Sequence, residues 1–343
     1  MVEGHVPHAV LEAYDCPEAS VVAETVKAKK AVWLVQPPDG GRVLKKSPLS
    51  EGRLRFVLAA AEHLRAQGIR LPAILPTRDG RPYVAVPEGL FFMMERVQGR
   101  NPSYEEPAER EAILQGLARF HRASKGFSAA DYPEARIQLG GWPQLYLKRL
   151  EALQLPLGEG AFWEAARPHH PVMVEAARAA LERLQRSAYH RWTERVREDG
   201  GLCHQDFAAG NLLLEPTGEL AVLDLDSISV EIPARDLRKI LLKVLKRSPT
   251  WDHELATAML TAYHQVHPLA PDEYEVVQAD LIFPHLYHGL VDKYRRGREP
   301  TWSEDRFLQR LAHVVAFERH KWEVLSSQSL LPAPLQGGDH DAH

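Results

Sequence analysis

The sequence of 343 residues predicts an α+β protein, with a small, mainly antiparallel β-sheet region followed by a larger, mostly helical one. Two observations predict this arrangement. Up to about residue 95, short runs of β-branched and aromatic residues alternate with turn residues, and a single helical pattern lies among them. After Gly99-Arg-Asn-Pro102, apolar residues recur at helical spacing. We therefore predict a first lobe over residues 1–98, a second over 99–330 and a disordered tail over 331–343.

Strands dominate the predicted first lobe. Apolar and β-branched runs predict strands at residues 21–26, 31–35, 42–45, 72–76, 82–87 and 89–94. The segment Pro37-Pro-Asp-Gly-Gly41 predicts a turn between the second and third strands. Residues 54–66 switch to helical spacing, and Gly68 ends this helix. The first lobe is therefore predicted as a sheet with one helix.

Helices dominate the predicted second lobe. Helical spacing predicts them at residues 109–124, 145–153, 171–197, 236–246, 253–267, 271–296 and 303–325. The tail is rich in Pro, Gly, His and Asp, a composition that favours disorder.

Composition excludes several classes of protein. A formal net charge of −4 gives no general reason to expect nucleic acid or an anionic membrane as partner. The two cysteines, Cys16 and Cys203, lack metal-ligand spacing and do not form a disulfide framework. No secretion signal is visible, and no apolar run approaches the ~20 residues that span a bilayer. These features predict a cytoplasmic protein.

A mostly aliphatic stretch, residues 204–226, interrupts the helical pattern and predicts a hairpin of two short strands. Its aliphatic character is broken by His204, Asp206, Asn211, Asp224 and Asp226. Buried carboxylates cost several kcal/mol unless a cation or hydrogen bonds compensate. These side chains therefore need partners.

The predicted hairpin brings three of these residues together. With a tight turn centred between Thr217 and Gly218, paired residue numbers sum to 435, so Asn211 faces Asp224. A bulge at Gly218 would shift the register by one residue and leave them neighbours. Asp206, on the approach loop, would lie beside them. Two carboxylates and an amide supply oxygen ligands for Mg²⁺ and an acceptor for an alcohol's proton, which phosphoryl transfer needs. For Asn211 alone, an ordinary turn-flanking role remains an alternative.

The motif His204-x-Asp206-x4-Asn211, followed by Val222-Leu-Asp224-Leu-Asp226, resembles the catalytic and metal loops of the aminoglycoside phosphotransferase/choline kinase superfamily. The sequence is most similar to its spore-coat branch, the CotS-type kinase-like proteins. Further segments that carry this likeness are Asp236-Leu-Arg-Lys-Ile240, Phe283-Pro-His285, Phe120-His-x-Ala-Ser-Lys-Gly126 and the stretch from Val32 to Lys45. The resemblance covers about residues 20 to 325 and implies a bilobal, protein-kinase-like fold.

The resemblance also implies roles for the polar residues. Asp206 would orient and deprotonate the acceptor hydroxyl as a general base. Asn211 and Asp224 would hold Mg²⁺ against the phosphates of ATP. His204 and Asp236 would support the catalytic loop. Asp226 has three open alternatives: a second metal, the substrate or solvent.

The nucleotide site is expected in the first lobe. Lys45 would contact the phosphates. Lys46 is its competitor, but strand alternation places only one of the two inward, and Lys45 directly follows the apolar pair of residues 43 and 44. The usual glutamate partner of this lysine is not evident, with Glu62 and Glu51 as candidates. Residues 93–97 resemble the hinge between the lobes. There the backbone of Glu95 and Val97 would bind adenine, and Met94 would pack against it. Residues 26–31, where a glycine-rich phosphate loop would lie, contain no glycine.

The acceptor is expected over the helical lobe. Segment 280–294 places His285, His288 and Asp292 on or near one helical face, which suits a small-molecule or carbohydrate site. An ordinary amphipathic core helix is the alternative.

The sequence thus predicts an ATP- and Mg²⁺-dependent phosphotransferase that acts on an alcohol. The resemblance to the spore-coat branch adds deposition in the spore coat and contacts with other coat proteins. One alternative is a coat protein that keeps the fold without turnover. A protein-directed kinase is disfavoured, since Gln205 replaces an arginine that many protein kinases use.

Overall fold

A computed structural model describes residues 5–27, 30–37 and 40–336. Three predicted features lie partly outside these residues. They are positions 38 and 39 of the predicted turn, positions 28 and 29 of the glycine-free segment, and residues 337–343 of the predicted tail.

Six strands of the described residues form one antiparallel sheet. They are β1 (Ser20–Lys27), β2 (Lys30–Gln36), β3 (Arg42–Ser47), β4 (Ile74–Leu75), β5 (Val84–Val86) and β6 (Gly89–Glu95). Their order is β1-β2-β3-β6-β4, and β5 also pairs with β6. Every strand predicted for this region is present, although β4 and β5 are shorter than predicted.

A helix packs on each face of this sheet. The first, α1 (His8–Ala13), has no counterpart among the predicted elements, because six residues are too few to show a helical period. It buries Val10 against Trp33 and Leu44. The second, α2 (Glu51–Ala66), buries Leu54 and Leu58 against Phe92 on the opposite face. Alternation along β3 therefore decides which lysine of that strand faces α2.

The rest of the described chain is mostly helical. Its helices are α3 (Pro107–Ala123), α4 (Trp142–Gln154), α5 (Ala161–Ala166), α6 (His170–Arg186), α7 (Tyr189–Asp199), α8 (Ala234–Leu245), α9 (His253–His264), α10 (Pro271–Ile282), α11 (His285–Arg295), α12 (Glu304–Ser327) and α13 (Ala333–Gln336). Two short ladders interrupt them, formed by β7 (Leu202–Cys203) with β10 (Ser229–Val230) and by β8 (Leu212–Leu214) with β9 (Leu220–Val222). The fold class predicted from the sequence is confirmed.

Two predicted helices are each divided in the structure. The segment 171–197 breaks at Ser187, whose backbone is extended with ψ 177°. The segment 271–296 breaks at Phe283, with ψ 131°. Pro284 explains the second break, because proline disfavours the helical conformation of the preceding residue and cannot donate a backbone hydrogen bond.

The tail is ordered further than predicted. Leu331 and Leu335 pack against the core of the helical region, and Ala333–Gln336 is helical. The prediction of disorder is therefore wrong for residues 331–336, where apolar side chains find a surface that only the folded protein provides. In the part of the chain that the structure describes, no helix is both long and apolar enough to cross a bilayer.

The connection between sheet and helices passes beside the hairpin β8–β9. Arg100 forms an antiparallel bridge with Leu214, through an N–H···O distance of 3.1 Å and a return bond of 2.7 Å. Gly99 is required here, because a Cβ at this position would lie 2.8 Å from the Leu214 carbonyl oxygen. The hairpin is thereby held against the edge of the sheet region.

Candidate active site

A cleft of about 610 Å³ lies between the sheet, α2 and the hairpin. Its walls include Lys30, Val32, Lys45, Met94 and Glu95 of the sheet and Val97 just after it. On the hairpin side they include Asn211, Asp224 and Asp226. Seven of the residues predicted from the sequence for the nucleotide and metal therefore line one cavity.

The register of the hairpin differs from the predicted one by one residue. Paired residues sum to 434, as in Leu212 with Val222, and the Leu223 N–H donates to the Asn211 carbonyl at 2.8 Å. The bulge considered as an alternative is present: Gly218 has φ +85° and its N–H donates to the Glu215 carbonyl. This is a three-residue loop with a bulge at its left-handed residue. Asn211 is thus adjacent to the position opposite Asp224.

Two lysines and two aspartates form a cluster of four charges in the cleft. Lys45 Nζ lies 2.7 Å from Asp224 Oδ1 and 2.7 Å from Asp226 Oδ1. Lys30 Nζ lies 2.7 Å from Asp224 Oδ2 and 3.0 Å from Asp226 Oδ2. Each ammonium group therefore bridges both carboxylates, which satisfies the requirement for compensating partners.

The cluster shifts the pKa of two of its members. Burial alone would raise the pKa of Asp224, but the charges of Lys45 and Lys30 outweigh burial and hold it well below its usual range. Burial opposes a charge on Lys30, yet its hydrogen bond to Asp224 and the charge of Asp226 raise its pKa. Asp224 and Lys30 are therefore both charged.

Asp224 also has a left-handed backbone, φ 54° and ψ 74°, which is uncommon for a residue other than glycine.

Asp206 lies at the edge of the cleft and contacts it through Asn211. The Asn211 side-chain amide donates to the Asp206 carbonyl and to Asp206 Oδ2, both at 2.9 Å. These bonds use the Nδ2 atom and leave the Asn211 Oδ1 atom for another partner. The Asp206 residue itself is exposed.

His204 and Asp236 hold the loop that carries Asp206. His204 is fully buried, with Nε2 2.9 Å from the Leu223 carbonyl, and its Nδ1 accepts the Asp206 N–H at 3.2 Å. Asp236 accepts the backbone N–H groups of His204 at 2.7 Å and Gln205 at 2.8 Å. Gln205 has φ 70°, so the loop is held in a strained conformation. His204 and Asp236 thus hold the loop through its backbone N–H groups.

The expected adenine-binding strand lies at the cleft wall. The Glu95 N–H is already used, because it donates to the Ala73 carbonyl at 2.9 Å, and the Glu95 carboxylate accepts from Arg70. The Val97 N–H, in contrast, has no hydrogen-bond partner among the described residues. Met94 lines the same wall. The backbone N–H of Glu95 is therefore not available to adenine.

The glutamate partners considered for Lys45 do not contact it. The Glu51 carboxylate accepts from the Tyr83 hydroxyl at 2.6 Å, and Glu62 is exposed. The carboxylates beside Lys45 come from the hairpin side. Lys46 lies over the Phe91 ring, 5.9 Å from its centroid, on the other face of β3.

Lys30 is the residue that the sequence interpretation missed. A signal for it existed, since Lys30 precedes Val32 by two residues and strand alternation places both on the face of Lys45, which pairs with Val32.

The three candidate acceptor residues all lie on α11, and their surroundings differ. His285 is bound by Asp280 and Arg149, with His285 Nε2 2.8 Å from Asp280 Oδ1 and Nδ1 3.2 Å from Arg149. Burial and nearby arginine charge lower the pKa of His285 to about 3. Asp292 pairs with arginines of its own segment, at 2.7 Å and 3.3 Å. Neither Asp292 nor His288 lines the cavity beside Asp206. A substrate role for His285, His288 and Asp292 therefore stays a prediction, and of the three only His285 borders the cavity beside Asp206.

Residues 27–274 match the model of the phosphotransferase enzyme family, and the chain belongs to this family. Its sequence is 29% identical to spore coat protein S of Bacillus subtilis (strain 168) over 325 residues, which are 93% of this chain and 92% of that protein.

Solved structures share the kinase-like fold. An aminoglycoside phosphotransferase from Alicyclobacillus acidocaldarius subsp. acidocaldarius DSM 446 has a TM-score of 0.78 and 22% identity, covering 95% of this chain and 96% of that one. The amicoumacin kinase hAmiN, in complex with AMP-PNP, Ca²⁺ and Ami, has a TM-score of 0.59 and 18% identity over 94% and 92% of the two chains.

Proposed function

We propose that the protein is an ATP- and Mg²⁺-dependent kinase that transfers the γ-phosphoryl group to an alcohol of a small molecule or carbohydrate. In this proposal residues 1–98 are the nucleotide-binding lobe and residues 99–330 the catalytic and substrate lobe. One observation carries it: Lys45, Asp224 and Asn211 line a single cleft, and Asp206 is hydrogen-bonded to Asn211 at its edge. Membership of the phosphotransferase family supports the class of reaction.

The cleft fits a nucleotide from adenine to phosphates. The free N–H of Val97 can donate to the base, and Met94 supplies an apolar wall. At the other end, Lys30 and Lys45 place two ammonium groups in reach of the phosphate chain. Lysine binds phosphate as a point charge, so this pair supplies the positive charge that kinase-like sites need. The complex of amicoumacin kinase with AMP-PNP supports a nucleotide as ligand.

The donor set beside the phosphates fits Mg²⁺. Asp224 and Asn211 offer hard oxygen atoms, which this ion prefers. Asp226 Oδ2 is buried and receives no hydrogen bond of good geometry, although Lys30 Nζ lies 3.0 Å away, so it has coordinating capacity to spare. When bound, Mg²⁺ would neutralise negative charge on the phosphates. Asp224 and Asn211 would hold it, and Asp226 is the further candidate ligand.

Asp206 is proposed as the residue that receives the proton of the acceptor hydroxyl. Its carboxylate is exposed at the cleft edge, and Asn211 and His204 fix its side chain and backbone. A positioned carboxylate at this place orients the hydroxyl and accepts its proton as the new bond forms. The supporting contacts of Asp236 keep the loop in the conformation that this role requires.

A second candidate function is a spore-coat protein that keeps the fold without turnover. The similarity to spore coat protein S over 93% of the chain favours it, as does the absence of glycine from residues 26–31. The same similarity supports deposition in the spore coat after synthesis in the cytoplasm, and contacts with other coat proteins. The complete set of Asp206, Asn211 and Asp224 favours the kinase over this candidate.

Thermal unfolding with a non-hydrolysable ATP analogue tests the proposal. We expect the analogue to raise the melting temperature of the wild-type protein in the presence of Mg²⁺, and Asp224→Ala to remove the Mg²⁺-dependent part. Asp206→Asn should keep this shift and lose phosphoryl transfer. Lys148→Gln, an exposed change on α4, is the control and should behave as the wild type. No shift in the wild-type protein would favour the coat protein without turnover, and normal turnover by either aspartate variant would refute the roles.

A further inference from the structure

A second cavity, of about 380 Å³, lies against Asp206. It is formed by the loop residues 205–208, by one side of α8 and the turn after it, and by the start of α11. Asp206 lines this cavity, while Asn211, its hydrogen-bond partner, lines the nucleotide cleft. The Asp206–Asn211 contact is therefore the border between the two cavities. An alcohol in the second cavity would reach Asp206 from the side opposite the nucleotide.

Basic side chains dominate this second cavity. Those that line it are Arg238, Lys239, Lys243 and Lys246. Arg238 and Lys239 have protein partners: Arg238 pairs with Asp280 at 3.3 Å, and Lys239 donates to the Gln205 carbonyl at 2.6 Å. The ammonium groups of Lys243 and Lys246, in contrast, form no hydrogen bond or ion pair with any described residue.

Little negative charge balances these lysines. Asp236, the other acidic residue of the cavity wall, is fully buried and engaged by two backbone N–H groups and by His121. His285 contributes no charge of its own at neutral pH, because it is buried. Lys246 is half-buried, and burial together with the charges of Arg310 and Lys243 lowers its pKa. The cavity beside the proposed base thus has two lysines available to a negatively charged ligand.

We propose that the acceptor is a small anionic alcohol, whose carboxylate or phosphate group is bound by Lys243 and Lys246 while its hydroxyl faces Asp206. This inference rests on the proposed kinase function and names the substrate class of that same site. The cavity volume is at the lower end of the ~300–1,000 Å³ of small-molecule sites, which suits a single sugar or a shorter polyol. Acceptors with ammonium groups, such as aminoglycosides, would meet like charge there.

The proposed phosphoryl transfer forms one bond and breaks another. The hydroxyl oxygen of the acceptor forms a bond to the γ-phosphorus of ATP, and the bond from that phosphorus to the β,γ-bridging oxygen breaks. ADP leaves with the electron pair of the broken bond, and the hydroxyl proton passes to the Asp206 carboxylate. The product carries one more phosphate than the acceptor.

Matched alcohols that differ in charge test the inference. The probes are glucose, glucosamine, glucuronate and glucose 6-phosphate, with glycerol, glycerate and glycerol 3-phosphate as a shorter set. Release of ADP in the presence of Mg²⁺ is compared with release without acceptor. We expect an anionic probe to stimulate release at least tenfold more than its neutral counterpart. The carboxylate and phosphate probes show which anionic group the cavity binds.

Substitutions show whether the cavity is responsible. Lys243→Gln with Lys246→Gln should raise the KM of the stimulating anionic probe on the order of tenfold and change kcat little, since it removes attraction for the anion. Lys148→Gln with Arg178→Gln removes the same charge from exposed positions on α4 and α6 and should not change KM.

Two results would overturn the inference. One is stimulation by neutral or cationic probes only, or by no anionic probe. The other is an unchanged KM in the Lys243/Lys246 variant. If the wild-type protein still shows the Mg²⁺-dependent shift with the ATP analogue, the kinase proposal stands and only the charge of the acceptor is wrong. Loss of that shift in the wild type refutes the kinase proposal and this inference together.

Discussion

We expect the Lys45→Met variant, without nucleotide, to be less stable than the wild-type protein by about 2 kcal/mol. The reason is the double contact of Lys45, whose Nζ lies 2.7 Å from a carboxylate oxygen of Asp224 and 2.7 Å from one of Asp226. Removing the lysine leaves two neighbouring carboxylates with one cation, Lys30, between them.

The expected loss of stability follows from the burial of Lys45 and from the cation that remains beside the two carboxylates. Removing one partner of a buried ion pair typically costs ~3–5 kcal/mol, and the Lys45 side chain is 6% exposed. Two features reduce this cost: Lys30 Nζ stays within 3.0 Å of both carboxylates, and the Asp224 side chain is 31% exposed, so water screens its charge. Met has a similar length to the lysine stem, so apolar packing changes little.

The variant should also respond to Mg²⁺ alone. Two carboxylates that share one lysine attract a divalent cation more strongly than two that share a pair of lysines. At a Mg²⁺ concentration about five times its Kd, binding to the folded state adds about 1 kcal/mol. About half of the lost stability should therefore return without nucleotide.

Urea unfolding with and without Mg²⁺ measures both effects. The control is Lys46→Met, the neighbouring lysine on the opposite face of β3, which forms no ion pair among the described residues and should change stability by about 0.5 kcal/mol or less. A Lys45→Met variant as stable as this control, with no response to Mg²⁺, would refute the account of the cluster.

Three further predictions concern the same site. Lys30→Gln should weaken binding of the Mg²⁺–ATP analogue on the order of tenfold by calorimetry, because one positive charge near the phosphates is lost; unchanged affinity would exclude a phosphate contact. Asp236→Asn should lower the free energy of unfolding by about 2–3 kcal/mol, since an amide group must then face a backbone N–H; a loss below about 0.5 kcal/mol in urea would contradict this. The depressed pKa of Asp224 means that its contribution to stability is present above the unfolded pKa of about 3.9 and is lost as the pH falls toward the folded pKa. The free energy of unfolding, measured from urea curves, should therefore fall more steeply between pH 5 and pH 3 for the wild type than for Asp224→Asn. An equal fall in both proteins would argue against this coupling.

Local patterns in the sequence were sufficient for most of the fold. Strand periodicity found the six strands of the antiparallel sheet, and helical periodicity found most of the helices, because both depend on which face of a short segment is apolar. The differences between the predicted and the observed elements also have local causes. Helix α1 is too short to show a period, and Pro284 divides a helix whose apolar spacing continues across the break.

The site was predictable where spacing along the chain was enough. The hairpin pattern brought Asn211 close to Asp224. It left open whether a bulge at Gly218 shifts the register by one residue, because the bulge depends on a left-handed backbone. Strand alternation allowed only one of Lys45 and Lys46 to face inward, and the apolar pair directly before Lys45 favoured that residue. In the structure Lys45 lines the cleft.

By itself, the sequence determined the order of elements, the polar set of the hairpin and the family likeness, because each is encoded within a few tens of residues. Only the tertiary structure decided which distant groups meet. Lys45 contacts carboxylates 179 and 181 residues away, His285 is bound within a buried network, and Lys243 and Lys246 line a cavity with Asp206. Contacts at such separations depend on how whole elements pack, and a periodic pattern carries no information about that packing.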